Sequence, residues 1–169
     1  QVPLDPASEV LPSMGSKEAI MQLSMAFLNQ GDAVLVPDPG YPSYTAATRM
    51  MQAEILPYTL LQEKSWMPDF QELEQLVAQF PVKLMWVNYP HMPSGARGSA
   101  EFFKKLVAFA QKHHILVIHD NPYALIRNNE PLSILKTPGA EKIALELHSL
   151  SKSHNMAGWR VGFITGASH

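Results

Sequence analysis

Short apolar runs recur along this chain, and helical patterns separate them. The runs lie at 33–37, 83–88, 115–119 and 143–147, and apolar residues dominate each of them. A strand with one wet face alternates apolar and polar residues, so runs of this kind favour strands that are covered on both faces. Covered strands that alternate with helices predict an α/β domain with a mainly parallel sheet.

Helical periodicity fills the stretches between these strands, at about 17–30, 42–51, 69–79 and 99–113. A further strand is predicted over 54–58. In the first helix, Ile20, Leu23 and Phe27 share the face that is expected to contact the core. Gly31 lies where a C-terminal cap is expected, and Ser99 is expected to cap the start of the last helix.

Composition limits the classes of function. The chain has 169 residues, of which 46% are apolar and 17% charged, and this suits a single domain with a sizeable core. A net charge of −2 gives no field that would attract nucleic acid or an anionic membrane. No apolar run approaches the roughly 20 residues of a membrane span, and no secretory signal is present, so we expect a cytoplasmic protein. The chain has no cysteine, and its histidines lack metal-ligand spacing, so no metal site is predicted.

Polar residues follow several of the predicted strands. In parallel α/β sheets, ligands bind beyond the carboxyl ends of the strands, so these residues are expected to form one site. They are found in Asp38-Pro-Gly-Tyr41, in Asn88 and the loop after it, in Asp120-Asn-Pro-Tyr123 and in Ser149-Leu-Ser-Lys152.

The first predicted helix opens on Gly15-Ser-Lys17, where free backbone N–H groups and the helix dipole favour an anion. Lys152 follows an apolar run, and an amine that attacks a carbonyl must be held in place, partly desolvated, with a lowered pKa. A phosphate site, aromatic rings, a carboxylate and an amine together suit a phosphorylated aromatic aldehyde. Pyridoxal phosphate meets that description.

Five motifs of this chain occur in the order found in one enzyme family. They are Gly15-Ser-Lys-Glu-Ala19, Pro39-Gly-Tyr-Pro-Ser-Tyr44, Asn88-Tyr-Pro-His-Met-Pro-Ser-Gly95, Asp120-Asn-Pro-Tyr123 and Ser149-Leu-Ser-Lys-Ser-His-Asn-Met-Ala-Gly-Trp-Arg-Val-Gly162. Through them the chain resembles the large domain of fold-type I pyridoxal-phosphate enzymes, in particular class I/II aminotransferases. The resemblance implies a three-layer α/β/α fold.

The same resemblance implies that residues 1–169 are part of the cofactor-binding domain, incomplete at both ends and without the small substrate domain. The chain also begins without an initiator methionine. We therefore expect a piece of a larger protein that works as a homodimer, and we expect the piece to be inactive alone.

The resemblance implies catalytic roles for three side chains. Lys152 would form a Schiff base with the cofactor and carry the proton between the substrate and the cofactor. Asp120 would keep the pyridine nitrogen protonated, and Tyr123 would donate a hydrogen bond to the ring oxygen O3′.

The remaining matches imply cofactor binding. Tyr41 would stack on the cofactor ring. Ser149 and Arg160 would bind the phosphate together with the backbone of the Gly15 loop at Ser16 and Lys17. Asn88 belongs to the same predicted cofactor site.

One position departs from the family pattern. Members usually carry an asparagine before the Pro-Thr/Ser-Gly turn, where it donates a second hydrogen bond to O3′, but this chain has Met92. A thioether cannot donate a hydrogen bond. Either Asn88, His91 or a water replaces the contact, or Tyr123 alone supports O3′.

The function that the resemblance implies is amino-group transfer between an amino acid and a 2-oxo acid. Two alternatives stay open. Another fold-type I enzyme, such as a carbon–sulfur β-lyase or an aminocyclopropane-carboxylate-type synthase, would use the same cofactor residues. A non-catalytic aminotransferase-like sensor domain of a transcription regulator would keep them as well.

Overall fold

The strands of this chain assemble into one sheet with helices on both faces. The structure is a computed structural model that describes residues 2–126 and 130–167. The strands are β1 Val10–Ser13, β2 Ala33–Asp38, β3 Glu54–Thr59, β4 Val82–Asn88, β5 Leu116–Asp120, β6 Ala144–Ser149 and β7 Gly162–Gly166. The α-helices are α1 Ser16–Phe27, α2 Pro42–Met50, α3 Phe70–Gln79, α4 Ala100–His113 and α5 Leu150–Ser153. Single 3-10 turns lie at Gln62–Lys64, Ile134–Lys136, Ala140–Lys142 and Ala157–Trp159.

In the part of the chain that the structure describes, the sheet has seven strands in the order β1-β7-β6-β5-β4-β2-β3. Neighbours from β3 to β6 pair in parallel, whereas β7 runs antiparallel to both β6 and β1. The prediction of a mainly parallel sheet is therefore confirmed. The sequence reading missed β1 and β7, because their pairing joins segments about 150 residues apart and β7 carries glycine at both ends.

Two apolar cores separate the sheet from its helices, which confirms the three-layer α/β/α prediction. One core joins α1 and α2 to residues such as Trp86 and Leu147 on one face of the sheet. The other joins α3 and α4 to residues such as Val87 and Val117 on the opposite face. Each fully buried large side chain contributes about 1.5–3 kcal/mol by leaving water.

The end of α1 differs from the prediction. The helix stops at Phe27, and Leu28 takes an extended conformation. Leu28 is buried as a result, whereas Phe27 is 39% exposed, so the expectation that Phe27 faces the core is wrong. Gly31 has a φ of +88° in the turn that follows and does not cap the helix directly.

The N-terminus of α4 agrees with the sequence prediction. The Ser99 hydroxyl oxygen accepts a hydrogen bond from the Phe102 N–H at 3.0 Å. One face of α4, which comprises Phe103, Leu106, Val107 and Ala110, is buried.

The strand register brings the predicted site residues to one edge of the sheet. Asn88 at the end of β4 is the register partner of Asp120 at the end of β5. Asp120 in turn is the partner of Leu147, two residues before β6 ends at Ser149. The carboxyl ends of these parallel strands therefore open onto the same space.

Candidate active site

A cavity of about 410 Å³ lies at this edge of the sheet. It is lined by Ser16, Lys17, Tyr41, Tyr44, Asn88, Met92, Asp120, Pro122, Tyr123, Ser149, Ser151, Lys152, Ala157 and Arg160. The structure thus brings together every predicted site residue except Gly15, and it adds Tyr44, Met92, Pro122, Ser151 and Ala157 to the cavity wall.

Gly15 acts beside the cavity, at the N-cap of α1. Its φ is +82°, which favours glycine, and a Cβ atom there would lie 2.3 Å from Arg160 Nη2. The glycine therefore allows the guanidinium to approach the start of the helix. It also leaves the N–H groups of the first turn without a side-chain cap.

Arg160 completes a site for an anion at this end of the cavity. Its guanidinium is held by the carbonyl oxygens of Met14 at 3.2 Å and Ala157 at 3.1 Å. Together with the N-terminus of α1, it supplies a fixed positive charge and backbone donors, which is the arrangement that binds a phosphate.

Asp120 is a buried residue of the cavity wall, and only one of its two carboxylate oxygens is hydrogen-bonded within the described residues. Its Oδ2 accepts a hydrogen bond from the Tyr44 hydroxyl at 2.7 Å. Its Oδ1 is buried and has no hydrogen-bond partner among the described residues. Burial raises the pKa of Asp120 to about 6, although the Tyr44 hydrogen bond and the charge of His119 act in the lowering direction. A cationic donor that reached Oδ1 from the cavity would satisfy this carboxylate.

Tyr44 lines the cavity and bonds Asp120, and the sequence analysis did not single it out. It is fully buried on α2, and its ring stacks on Trp86 with the ring centroids 5.0 Å apart. Burial and the neighbouring Asp120 raise the pKa of Tyr44 well above its ordinary value, so the hydroxyl stays protonated and donates. The motif that carries Tyr41 ends at Tyr44, and this proximity was the available signal.

Lys152 lies on α5, the single helical turn after β6. The Ser149 hydroxyl oxygen caps this turn by accepting from the Ser151 N–H at 3.2 Å, so the Ser149 O–H remains able to donate. Lys152 lines the cavity and is exposed. The expectation of a partly desolvated amine is therefore not met within the described residues.

Tyr123 and Tyr41 line the same cavity wall. Burial, followed by the charges of Asp120 and Tyr41, raises the pKa of Tyr123, so its hydroxyl stays a donor at neutral pH. The Tyr41 ring meets Tyr44 edge-on at 5.7 Å, and Lys17 Nζ lies 5.8 Å from the centre of the Tyr41 ring. An aromatic face, a phenol and an anion site thus surround the two reactive groups, Lys152 and Asp120.

The family profile described as "Aminotransferase class I and II" matches residues 1–169. The chain belongs to this aminotransferase family. It is 46% identical to LL-diaminopimelate aminotransferase 2 of Trichormus variabilis over 170 aligned positions, which cover 99% of this chain and 43% of that protein. It is 40% identical to L-glutamine--4-(methylsulfanyl)-2-oxobutanoate aminotransferase of Bacillus subtilis, over 98% of this chain and 42% of that protein.

Solved structures with the same fold include two that are at least 36% identical to this chain. The substrate-bound BacF structure from Bacillus subtilis superposes with a TM-score of 0.91 at 39% identity, covering 99% of this chain and 42% of that chain. A probable N-succinyldiaminopimelate aminotransferase from Thermus thermophilus gives a TM-score of 0.91 at 36% identity, covering 99% and 45%. The chain spans less than half the length of these relatives.

Class I and II aminotransferases depend on pyridoxal phosphate, and the cavity residues of this family member fit that group. The unpaired Oδ1 of Asp120 suits the protonated nitrogen of a pyridine ring. Arg160 and the N-terminus of α1 suit the phosphate, and Lys152 supplies a primary amine on the cavity wall.

The structure narrows the alternatives around Met92 in this aminotransferase. Asn88 Nδ2 already donates to the Asp120 carbonyl at 2.8 Å, and Asn88 Oδ1 accepts from the Met92 N–H at 2.7 Å. His91 is buried, and its two ring nitrogens bond Ser94 Oγ and the Pro39 carbonyl. His91 therefore has no donor left for a cofactor oxygen. Asn88 Nδ2 has a second N–H, so Asn88, a water or Tyr123 alone remain as the alternatives.

Removal of the Tyr44 hydroxyl tests whether it orients Asp120. In Tyr44→Phe, the ring can still stack on Trp86, but Asp120 loses the hydrogen bond from the Tyr44 hydroxyl. A hydrogen bond to a charged group contributes about 1.5–3 kcal/mol, so we expect cofactor affinity to fall by about tenfold to 100-fold. A titration that follows the absorbance of the bound cofactor measures this affinity.

Tyr58→Phe is the matched control for this variant. Tyr58 is also buried, and its hydroxyl donates to the Trp86 carbonyl at 2.8 Å without reaching Asp120. Both variants lose one buried phenol hydrogen bond, so equal cofactor affinities would rule out a specific role for Tyr44.

A metal-ligand cluster and a membrane-spanning helix are both absent from the part of the chain that the structure describes. No group of three or more histidine, aspartate or glutamate side chains among those residues could hold a metal ion. No helix formed by those residues is long and apolar enough to cross a membrane.

Proposed function

We propose that the complete protein containing these residues transfers an amino group between an amino acid and a 2-oxo acid. The observation that carries the proposal is the cavity that has the amine of Lys152 on its wall and the unpaired oxygen of Asp120 at its base. Bound pyridoxal phosphate supplies a carbonyl that reacts with amines and a ring that accepts electrons.

The residues of the chain divide into those that bind and those that move protons. Arg160, the Ser149 hydroxyl and the first-turn N–H groups of α1 bind the phosphate and fix the position of the cofactor. Tyr41 covers a face of the ring. We assign these residues to affinity and orientation rather than to proton transfer.

Asp120 Oδ1 holds a proton on the ring nitrogen, and the Tyr44 hydroxyl keeps that carboxylate in place. The Tyr123 hydroxyl donates to the ring oxygen. With pyridoxal phosphate held in this cavity, Lys152 Nζ would be the base that takes up the proton of the substrate carbon and later gives it back. Its place on the cavity wall supports this role.

The proposal includes the assembly and location of the protein. We propose a cytoplasmic homodimer in which these residues are part of the cofactor-binding domain. Two apolar side chains beside the anion site, Met14 and Trp159, are 65% and 75% exposed. Apolar groups at this exposure next to an open active site support covering by a further part of the protein or by a second copy.

Amino acids added one at a time to the cofactor-loaded protein test the proposal. An aminotransferase converts its bound cofactor to the amine form and releases one 2-oxo acid for each cofactor, which the absorbance and a 2-oxo-acid assay detect. We would begin with LL-diaminopimelate and glutamine, which the names of the relatives suggest.

The alternatives give different results in the same assay. A carbon–sulfur β-lyase would release pyruvate and ammonia, and repeated turnover would need no 2-oxo acid. A sensor domain would bind the cofactor but show no amine form with any amino acid, and that outcome would overturn the proposal.

A further inference from the structure

A buried carboxylate lies on the face of the sheet that is opposite to the candidate active site. Glu146 on β6 is 1% exposed. The next residue, Leu147, lies on the sheet face that packs against α1 and α2. Glu146 therefore lies on the other face, together with Ala144, which contacts the core beneath α3 and α4. Asp120 faces Tyr44 of α2, so the two buried carboxylates lie on opposite faces. Burial of an ionised carboxylate costs several kcal/mol unless it is fully bonded.

Glu146 is bonded through both of its oxygens. Oε1 accepts from Asn121 Nδ2 at 2.8 Å and lies 3.2 Å from His148 Nε2. Oε2 accepts from the Ser133 hydroxyl at 2.5 Å and from the Ile134 N–H at 3.1 Å. Both carboxylate oxygens of Glu146 thus accept hydrogen bonds from other residues.

The two neighbouring imidazoles favour the ionised form. His119 Nδ1 lies 3.5 Å from Oε2, and His148 lies beside Oε1. Burial alone would raise the pKa of Glu146, but His119, His148 and Ser133 outweigh it and lower the pKa to about 2. Glu146 is therefore a permanent acceptor at neutral pH.

The side-chain and backbone donors to Glu146 come from two separate stretches of chain. Asn121 directly follows Asp120 and begins the turn at 121–126, which carries Tyr123. Ser133 and Ile134 begin the 3-10 turn that precedes β6 in sequence. Asn121 Nδ2 also donates to the Leu132 carbonyl at 2.9 Å, so these two stretches meet at the carboxylate.

We propose that Glu146 is a positioning residue for the active site, whose carboxylate clamps the 121–126 turn to Ser133 and Ile134 and thereby fixes Tyr123 and Asp120. That the clamp serves an active site rests on the proposed function. The clamp needs an acceptor at both oxygens, because donors approach from both sides. A glutamine of the same size offers one acceptor and one amide, and the amide would face a donor in either orientation.

Glu146→Gln in the complete protein tests the clamp, with amide hydrogen exchange as the main measurement. The Ala124 and Ile126 N–H groups donate to the Asn121 and Tyr123 carbonyls within the turn. Without cofactor, we expect these two amides to exchange about tenfold faster or more in the variant than in the wild type. We expect a smaller change in the exchange of the strands β2 and β4. With cofactor bound, we expect a weaker visible circular dichroism signal and a lower kcat with a smaller change in KM.

Thr165→Val is the matched control. Thr165 is buried on β7, is the register partner of Glu146, and donates to its backbone carbonyl at 3.3 Å without contacting the 121–126 turn. We expect this variant to lose stability without selective exchange in the turn. Equal exchange changes in the turn and in the strands of Glu146→Gln would overturn the proposal.

Two further results keep the test decisive. If Glu146→Gln does not fold, Ser133→Ala removes one donor and is expected to give the same selective change at a smaller size, and its absence would overturn the clamp. Exchange in the cofactor-free protein does not depend on the cofactor. A protein that bound no pyridoxal phosphate would therefore contradict the proposed function while the exchange result still decided the clamp.

Discussion

Lys152→Ala is expected to abolish covalent attachment of the cofactor and to lower turnover by about 10⁴-fold or more. The variant removes the amine on the cavity wall and also the base that would move the proton. The measurement is reduction of the loaded protein with borohydride followed by mass analysis, which reports a cofactor–lysine adduct on the intact protein. Turnover is measured with the amino acid that converts the wild-type cofactor.

Lys105→Ala provides the control for a lost lysine charge. Lys105 is exposed on α4, and it is not among the residues that line the cavity. We expect this variant to keep both the adduct and the turnover. Persistence of the adduct in Lys152→Ala would show that another amine carries the cofactor, and the assignment of Lys152 would then be wrong.

Asp120→Asn is expected to lower turnover by about 10²- to 10³-fold, the range for loss of one preorganised electrostatic group. Asparagine keeps the shape of the side chain but cannot hold a proton on the ring nitrogen by charge. Cofactor affinity is expected to fall as well, because Oδ1 is the buried oxygen without another partner in the part of the chain that is described. Turnover and a cofactor titration measure the two effects separately.

The same substitution changes how the stability of the cofactor-free protein depends on pH. Burial raises the pKa of Asp120 from 3.8 to about 6, so the folded state favours the protonated form. The contribution of Asp120 protonation to the free energy of unfolding is therefore complete below about pH 4, and it is lost as the pH rises through about 6. A change of about 2 pKa units, at 1.36 kcal/mol per unit, corresponds to about 3 kcal/mol.

In Asp120→Asn this loss is absent. Relative to wild type, the unfolding free energy of the cofactor-free variant is expected to rise by about 3 kcal/mol between about pH 4 and pH 8. Denaturant unfolding at several pH values measures it. Asp38→Asn is the control, since Asp38 is exposed at the end of β2 and does not line the cavity. A parallel pH dependence of Asp120→Asn and wild type would contradict the buried titration of Asp120.

The strands and helices that the sequence predicted are those with a strong local pattern. The runs at 83–88 and 115–119 became β4 and β5 because their residues are apolar on both faces. β1 was missed because it pairs with a strand about 150 residues away in sequence, and β7 was missed because it is short and has glycine at both ends. The end of α1 was misplaced because Phe27 and Leu28 are both apolar, and periodicity does not decide which of them is buried.

The candidate site follows the same division. The residues after each strand could be collected from the sequence, because parallel strands end at one edge of a sheet. The motifs gave these residues roles by resemblance to a family. The hydrogen bond from Tyr44 to Asp120 joins residues 76 positions apart, and no local pattern indicates it. The same holds for the donors around Glu146, which reach it from two separate stretches of chain.

The sequence by itself determined the α/β class, the strands that carry the site and the chemical types at their ends. These depend on burial patterns and motifs that are written over a few neighbouring residues. Only the tertiary structure decided which polar atoms are bonded and which remain available, such as the two bonded ring nitrogens of His91 and the unpaired Oδ1 of Asp120. The physical reason is that hydrogen bonds act over about 3 Å, so their partners are fixed by strand register and layer packing rather than by position along the chain.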